Sequence, residues 1–390
     1  MPFLAADRVW ETSTTNGTGN MLLLGAVPGY RTFNSVYNNA VASYFKFHYA
    51  IVNRTGTQWE VGVGSLNLAN ELVREQVLVS TSGIPATPET FTTGTKDIFV
   101  TLSARTQTEA ITVPGGRLTL ETGVPISSSN QTAKSTLYYT PYSGNRIDLW
   151  DGSTWRPFLF TETSLSLILT NGKNYDVFGF INTGTDTLNL ELSTAWTTDT
   201  ARATALTTQD GILVKSGAGT RRYLGTLRAT GTNTTEDSLR QRLVWNYYNR
   251  APRTLAATET MATSWTYTTT TWRQANATTT NRVNFVVGTD DTFVFLQVSV
   301  VLSNSASGNG GLAAVGYDTT TNYTEMPNGV SRIATLRSGS ANHVVTGIST
   351  NSGYPTAGYH FCSWNEIGPG AGVTTWFASE TVGMTGHIIC

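Results

Sequence analysis

Charge is scarce in this 390-residue chain, with Asp, Glu, Lys and Arg making up 13% of it, against about 25% in an ordinary soluble domain. Lys and Glu in particular are few. A chain so poor in like charges does little to hold its own copies apart, so assembly into a homo-oligomer is expected. Nor is there a basic excess to neutralise phosphates. The formal net charge is −1 and the isoelectric point about 6.4, which argues against nucleic acid as a partner. Two cysteines, Cys362 and Cys390, are too few for a disulfide framework, and neither sits in a CxxC. The four histidines (His48, His343, His360, His387) show no HxH or HExxH spacing, so no metal is expected. The start, MPFLAADRVW, has neither the basic nor the apolar region of a signal peptide. No apolar run approaches the roughly 20 residues of a transmembrane helix, so membrane insertion is not expected.

What is abundant points to strands. Roughly one residue in six is Thr, aromatics are 11%, and Gly numbers 37; β-branched and aromatic side chains fit pleated, half-buried surfaces. Phe45, Phe47 and Tyr49 alternate, as do Ile98, Val100 and Leu102, which is the period of a half-buried strand. Asn16-Gly17 marks a hairpin turn, and Asp151-Gly152 and Asn171-Gly172 mark two more tight turns. Phe293 to Leu302 is apolar on both sides of the alternation, which predicts a strand sandwiched between sheets. The apolar ending Ile388-Ile389-Cys390 predicts a segment that completes a sheet.

One helix is predicted, over 235–249. Thr234 or Thr235 caps it, Glu236 and Asp237 complement its dipole, Leu239, Leu243, Val244 and Tyr247 form a stripe, and Pro252 stops it. The basic group Arg240, Arg242, Arg250 and Arg253 would then lie on a solvated face of that helix. The fold class is therefore all-β, with β-sandwich or jelly-roll-like domains and one short helix. Pro114-Gly115-Gly116, Pro125 and the polar run 127–135 read as linker. The expected organisation is an N-terminal β domain (1–105), a linker (106–135), a central β domain with the helix (136–260) and a C-terminal sandwich (261–390). No repeat of fixed period appears, which excludes a propeller or β-helix.

Catalytic signatures are missing: there is no GxSxG elbow and no P-loop. Glycoside hydrolysis needs only two carboxylates, for which the candidates are Asp148 with Asp151 and Asp290 with Asp291. A turn accounts for Asp151 and a loop between strands for Asp290 and Asp291, so no catalytic residue is assigned and the protein is not expected to be an enzyme. His360 and Cys362 share a strand face and could ligate a metal with a symmetry mate. A packed His beside a buried Cys accounts for them more simply, and no cofactor is implied. Flat rings stack on sugars and anchor protein interfaces. The ligand-binding candidates are accordingly Trp265, Tyr267 and Trp272, in a Thr-rich stretch, with Trp364 and Trp376 in the last strands.

The stretch DRVWETSTTNGTGNMLLLGAVPGYRTF leads to a Trp-Glu-Val-Gly strand (Trp59, Glu60, Val61, Gly62) and a Gly-Thr-Lys-Asp-Ile-Phe strand (Gly94 to Phe99). This arrangement resembles a recurrent N-terminal module of tailed-bacteriophage virion proteins. LYYTPYSGNRIDLWDGSTWRPF, NGKNYDVFGF, LTTQDGILVKSGAGTRRYLGTLR and LRQRLVWNYYNRAPR are similar to central stretches of phage structural proteins. Together these cover roughly residues 1–275. The resemblance implies a virion protein assembled in the host cytoplasm as a homo-oligomer, often a trimer. The N-terminal region would dock to other virion proteins and the distal part would contact a glycan or protein of the host surface. A tail fibre or receptor-binding component is the first reading. Alternatives are a head decoration or head fibre protein, a neck or tail adaptor, and, as a third class, a glycan depolymerase. Assembly in a reducing cytoplasm implies that Cys362 and Cys390 are free thiols. The absence of a sustained heptad favours a compact component over a long shaft.

Overall fold

Backbone groups of a Thr-, Val- and aromatic-rich chain must be paired when they are buried. In the computed structural model they are paired almost wholly in antiparallel strands. The chain is all-β. The structure describes residues 6–37, 46–83, 87–101, 113–152, 155–182, 185, 187–259, 264–378 and 382–390. It divides into two compact units, 1–110 and 111–390.

In the first unit six strands form one antiparallel sheet. Their spatial order is Trp10–Ser13, Lys96–Val100, Phe47–Asn53, Trp59–Leu66, Glu71–Ser80, Met21–Leu22. The turn expected at Asn16-Gly17 is present, with Gly17 at φ +85°, but it does not make a hairpin. The strands before and after it join opposite edges of the sheet. Those edges are drawn together where Leu24 N–H donates to the Thr12 carbonyl at 2.9 Å. The expected alternations fall in the Phe47–Asn53 and Lys96–Val100 strands, while Phe45 and Leu102 lie outside the described residues.

The two motifs that carried the resemblance both have structural work here. Glu60 is fully buried and is paired with Arg74. It also accepts from the Tyr49 hydroxyl at 2.7 Å and the Glu89 amide at 2.7 Å. Gly62 lies against the Tyr49 ring, where an added Cβ would meet the hydroxyl oxygen at 2.5 Å. Lys96 donates to Asn16 Oδ1 at 2.7 Å, and Asp97 accepts from the Trp10 indole at 2.9 Å and from Arg54 Nε at 2.9 Å.

The second unit has a two-stranded hairpin (Arg146–Trp150, Trp155–Leu159), a three-stranded sheet (Gly116–Thr119, Thr136–Pro141, Thr163–Ser166) and two larger sheets of 14 and 7 strands. The larger of these runs from Thr187–Leu192 through Asn174–Asn182 and Ala218–Gly231 to Arg282–Val287, Gly358–Ile367 and Gly310–Tyr317. The smaller is centred on Val294–Asn304, with Gly383–Ile389 and Pro252–Thr258 on one side and Val345–Gly353 and Val330–Arg332 on the other. Val294, Leu296, Val298, Val300 and Leu302 share one core with Val283, Phe285, Val315 and Trp364 of the larger sheet, which makes these two sheets a sandwich.

Three expectations are corrected. First, there is no helix over 235–249. Thr234–Asp237, Gln241–Arg242 and Val244–Asn246 are strands, and they pair with Ala218–Gly231 and Arg282–Val287. Asn233, at φ +59°, turns the chain so that Gly231 opposes Thr234. The stripe dissolves: Leu239 is exposed while Leu243, Val244 and Trp245 are consecutive buried residues. Strand partners outside the segment, near and distant, outweigh helical spacing in a stretch rich in β-formers. Arg242 and Arg253 pair with Asp237, and Arg250 with Asp291, so they do not line a helix face.

Second, no domain boundary falls at 260, because sheet and core run through it. Pro252–Thr258 pairs with Gly383–Ile389, and Phe178, Tyr223 and Trp245 belong to the same core as Trp364. The expected linker contains strands Gly116–Thr119 and Gln131–Lys134, and its residues 106–112 lie outside the described residues. Third, the Val294–Asn304 strand is buried on one face only as far as Val301, since Phe295, Gln297, Ser299 and Val301 are half-exposed.

Candidate functional site

Of the five aromatic candidates, three are interior. Trp364 and Trp376 are fully buried, and Trp265 is 9% exposed. Trp265 stands opposite Trp376 in the Ser264–Thr266 and Thr374–Phe377 pair and meets Trp364 edge-on at 5.7 Å. Its indole donates to Glu366 Oε2 at 2.7 Å. Burial raises the Glu366 carboxyl above its ordinary value, against the opposing pull of Trp265, Arg273 and the Asn276 amide. These three rings are therefore core, and the expectation that they offer a binding surface is withdrawn. Trp265 and Trp376 face inward as the buried members of strand alternations, whereas Trp364 lies in a strand buried on both faces at that point.

Tyr267 and Trp272 are half-exposed on one loop. The Tyr267 hydroxyl donates to the Thr271 carbonyl at 2.7 Å, and the Arg273 guanidinium covers one ring face at 3.7 Å. Trp272 meets the exposed Tyr323 edge-to-face at 5.9 Å, a partner that sequence reading missed. The rings offer a small polar-rimmed corner with no continuous flat platform.

The carboxylate candidates have structural partners. Asp148 is buried on a strand and faces Arg146 at 3.3 Å, while Asp151 is exposed at the turn. Asp290 accepts from the Ala357 amide at 2.6 Å and Asp291 from Arg250 at 2.8 Å. Both ring nitrogens of the buried His360 are engaged, Nδ1 with Tyr317 and Asp318 (2.7 and 2.8 Å) and Nε2 with the Thr356 carbonyl at 2.8 Å. Cys362, two residues on, is buried and its thiol is pushed well up, by burial first and Asp318 second. Cys362 and Cys390 are both unpaired. Among the described residues no group of three or more His, Cys, Asp or Glu is placed to hold a metal.

A surface that the sequence did not reveal is the outer face of the smaller sheet. In-register pairing lays Val330, Ser352, Phe295, His387 and Thr254 in one row across five strands. Arg332, Thr350, Gln297, Thr385 and Ala256 form the next row, and Ile348 and Ser299 lie in the one after. All are exposed or half-exposed. Ile348 is 59% and Val330 57% exposed. Phe293, Tyr354, His387 and Phe295 form a chain of ring contacts at one corner, 5.4 to 6.5 Å apart. Arg332, on the edge strand, is the sole Lys, Arg, Asp or Glu in these rows. Outward strand faces ordinarily carry charged residues.

No family model matches the chain, and no curated protein matches it. Among solved structures, a Bacillus subtilis glycoside hydrolase family 43 arabinoxylan arabinofuranohydrolase in complex with cellotetraose aligns over 98% of this chain and 79% of its own. The identity is 12% and the TM-score 0.20. The infectious bursal disease virus VP2 subviral particle aligns over 97% of this chain and 78% of its own, at 13% identity and a TM-score of 0.17. Likenesses at these scores carry no argument about fold or function.

Proposed function

We propose that this chain is a structural protein of a tailed-bacteriophage virion. In this reading it is a tail fibre or receptor-binding component that assembles as a homo-oligomer and has no catalytic role. The observation that carries the assembly part is the charge-poor outer sheet face, whose sole charged residue in the paired rows is Arg332 at the edge. A lone soluble protein gains nothing by leaving such a face open. The phage part rests on the resemblance over residues 1–275. The structural work done by its Trp-Glu-Val-Gly and Gly-Thr-Lys-Asp residues accounts for why those residue types stand there.

Immunogold labelling of intact particles, with antibody raised against residues 111–390, tests the reading. The whole second unit is the antigen because residues 261–390 share its core with earlier strands. Label at the tail end supports receptor contact. Label over the head replaces that role with decoration. Particles without label overturn the virion assignment.

A further inference from the structure

We propose that the outer face of the sheet centred on Val294–Asn304 is buried against a second copy of this chain. The proposal rests on the assembly part of the reading above and names the surface responsible. Three observations select this occupant. The first is charge. An acidic partner would find one counter-charge, Arg332 on the edge strand, and a basic partner would find none. The same face on another copy brings only its own Arg332, again on the edge strand, and no charge at the centre to be desolvated.

The second is hydrogen-bonding character. Thr350, Gln297, Thr385 and Ser299 carry hydroxyls or an amide, which both donate and accept. Such a pattern is complementary to itself, whereas a surface of lysines or of carboxylates is not. Phe295 and Ile348 add the apolar anchors that an interface centre needs.

The third is size and access. At about 4.8 Å between strands and 3.4 Å per residue, the five strands present roughly 600 Å² of flat sheet. With Phe293 and Tyr354 at the rim, this approaches the roughly 800 Å² that each partner contributes to a standard interface. Association along the sheet edges is disfavoured: the terminal strands Val330–Arg332 and Ser264–Thr266 have 3 residues each, and Pro252–Thr258 begins with a proline. The open direction is face-on.

Light scattering of the full chain at micromolar concentration reads the outcome. Wild type is expected at a multiple of 42.1 kDa. Gln297→Glu keeps the side-chain shape but places a charge at the centre of the face, and should weaken association by about a hundredfold while leaving the circular dichroism spectrum unchanged. Thr350→Lys, on the neighbouring strand, repeats the test should the first variant misfold. Ile168→Lys, at an exposed residue elsewhere in the unit, should leave the mass unchanged. A wild type that stays monomeric overturns both this proposal and the assembly reading. An oligomer that survives both charged variants overturns the face alone.

Discussion

The two faces of the Val294–Asn304 strand are one residue out of phase and opposite in fate. Val294, Leu296, Val298, Val300 and Leu302 are completely or almost completely buried, while Phe295, Gln297, Ser299 and Val301 look outward. The inner face is explained by the sandwich core it fills. The outer face is not explained by solvent, because it lacks the charge that solvent-facing strands ordinarily carry. The lesson is that exposure and charge decouple here: one side of the sheet is apolar and covered, the other open yet nearly free of charge. A second copy of the chain resolves the difference.

The largest effect should come from forcing charge onto the wrong side. Val298→Asp places an unpaired carboxylate in the core and should cost at least about 4 kcal/mol, enough to unfold the unit. Ile348→Thr, on the outer face, should change monomer stability by less than about 0.5 kcal/mol. Urea denaturation measures both, and comparable losses would erase the distinction between the faces.

A smaller contrast lies within the core. Trp265 donates to the Glu366 carboxylate, so Trp265→Phe leaves a buried charge short of a partner. That should cost roughly 2–3 kcal/mol. The Trp376 indole N–H finds no acceptor among the described residues. Trp376→Phe removes an orphaned donor along with some volume and should cost about 1 kcal/mol. Equal losses in the two variants would mean that volume alone governs this cluster.

The smallest effect is on pH. Burial holds the Glu366 carboxyl above its ordinary value of 4.5, so the folded state keeps its proton to higher pH than the unfolded chain does. Its contribution to stability therefore grows as pH falls from that raised value toward 4.5, and shrinks as pH rises through it. Melting curves of wild type and Glu366→Gln should diverge in favour of wild type as pH falls from neutral. Divergence in favour of wild type with rising pH would show that the carboxylate is stabilised in its ionised form.

Much of the fold was readable because strand periodicity is local. Phe47 with Tyr49, the glycine turns and the Thr-rich composition pointed to an all-β chain without further knowledge. The predicted helix failed because Leu239, Leu243 and Tyr247 satisfy a helical spacing by coincidence. What determines Thr234–Asn246 is pairing with the preceding strand Ala218–Gly231 and with Gln131–Lys134 and Arg282–Val287 far along the chain, a combination no helical window contains. Trp265 misleads because its polar neighbours suggest exposure. Ser264 and Thr266 are indeed exposed, but alternation then sends Trp265 inward. At Trp364 even the neighbours Ser363 and Asn365 are buried, held by hydrogen bonds to each other and to the Thr319 and Asn322 carbonyls. The outer face was invisible for a different reason. Its residues come from five strands between 252 and 389, and only the register places them side by side.

The central claim is that assembly covers this face, and side-chain footprinting of the protein at assembling and at dilute concentrations tests it most directly. Hydroxyl-radical labelling should fall at Phe295, Tyr354 and His387 on assembly and stay constant at Tyr323 and Tyr142, which are exposed elsewhere. Constant labelling of Phe295 and His387 in an oligomer that protects Tyr323 or Tyr142 would contradict the account.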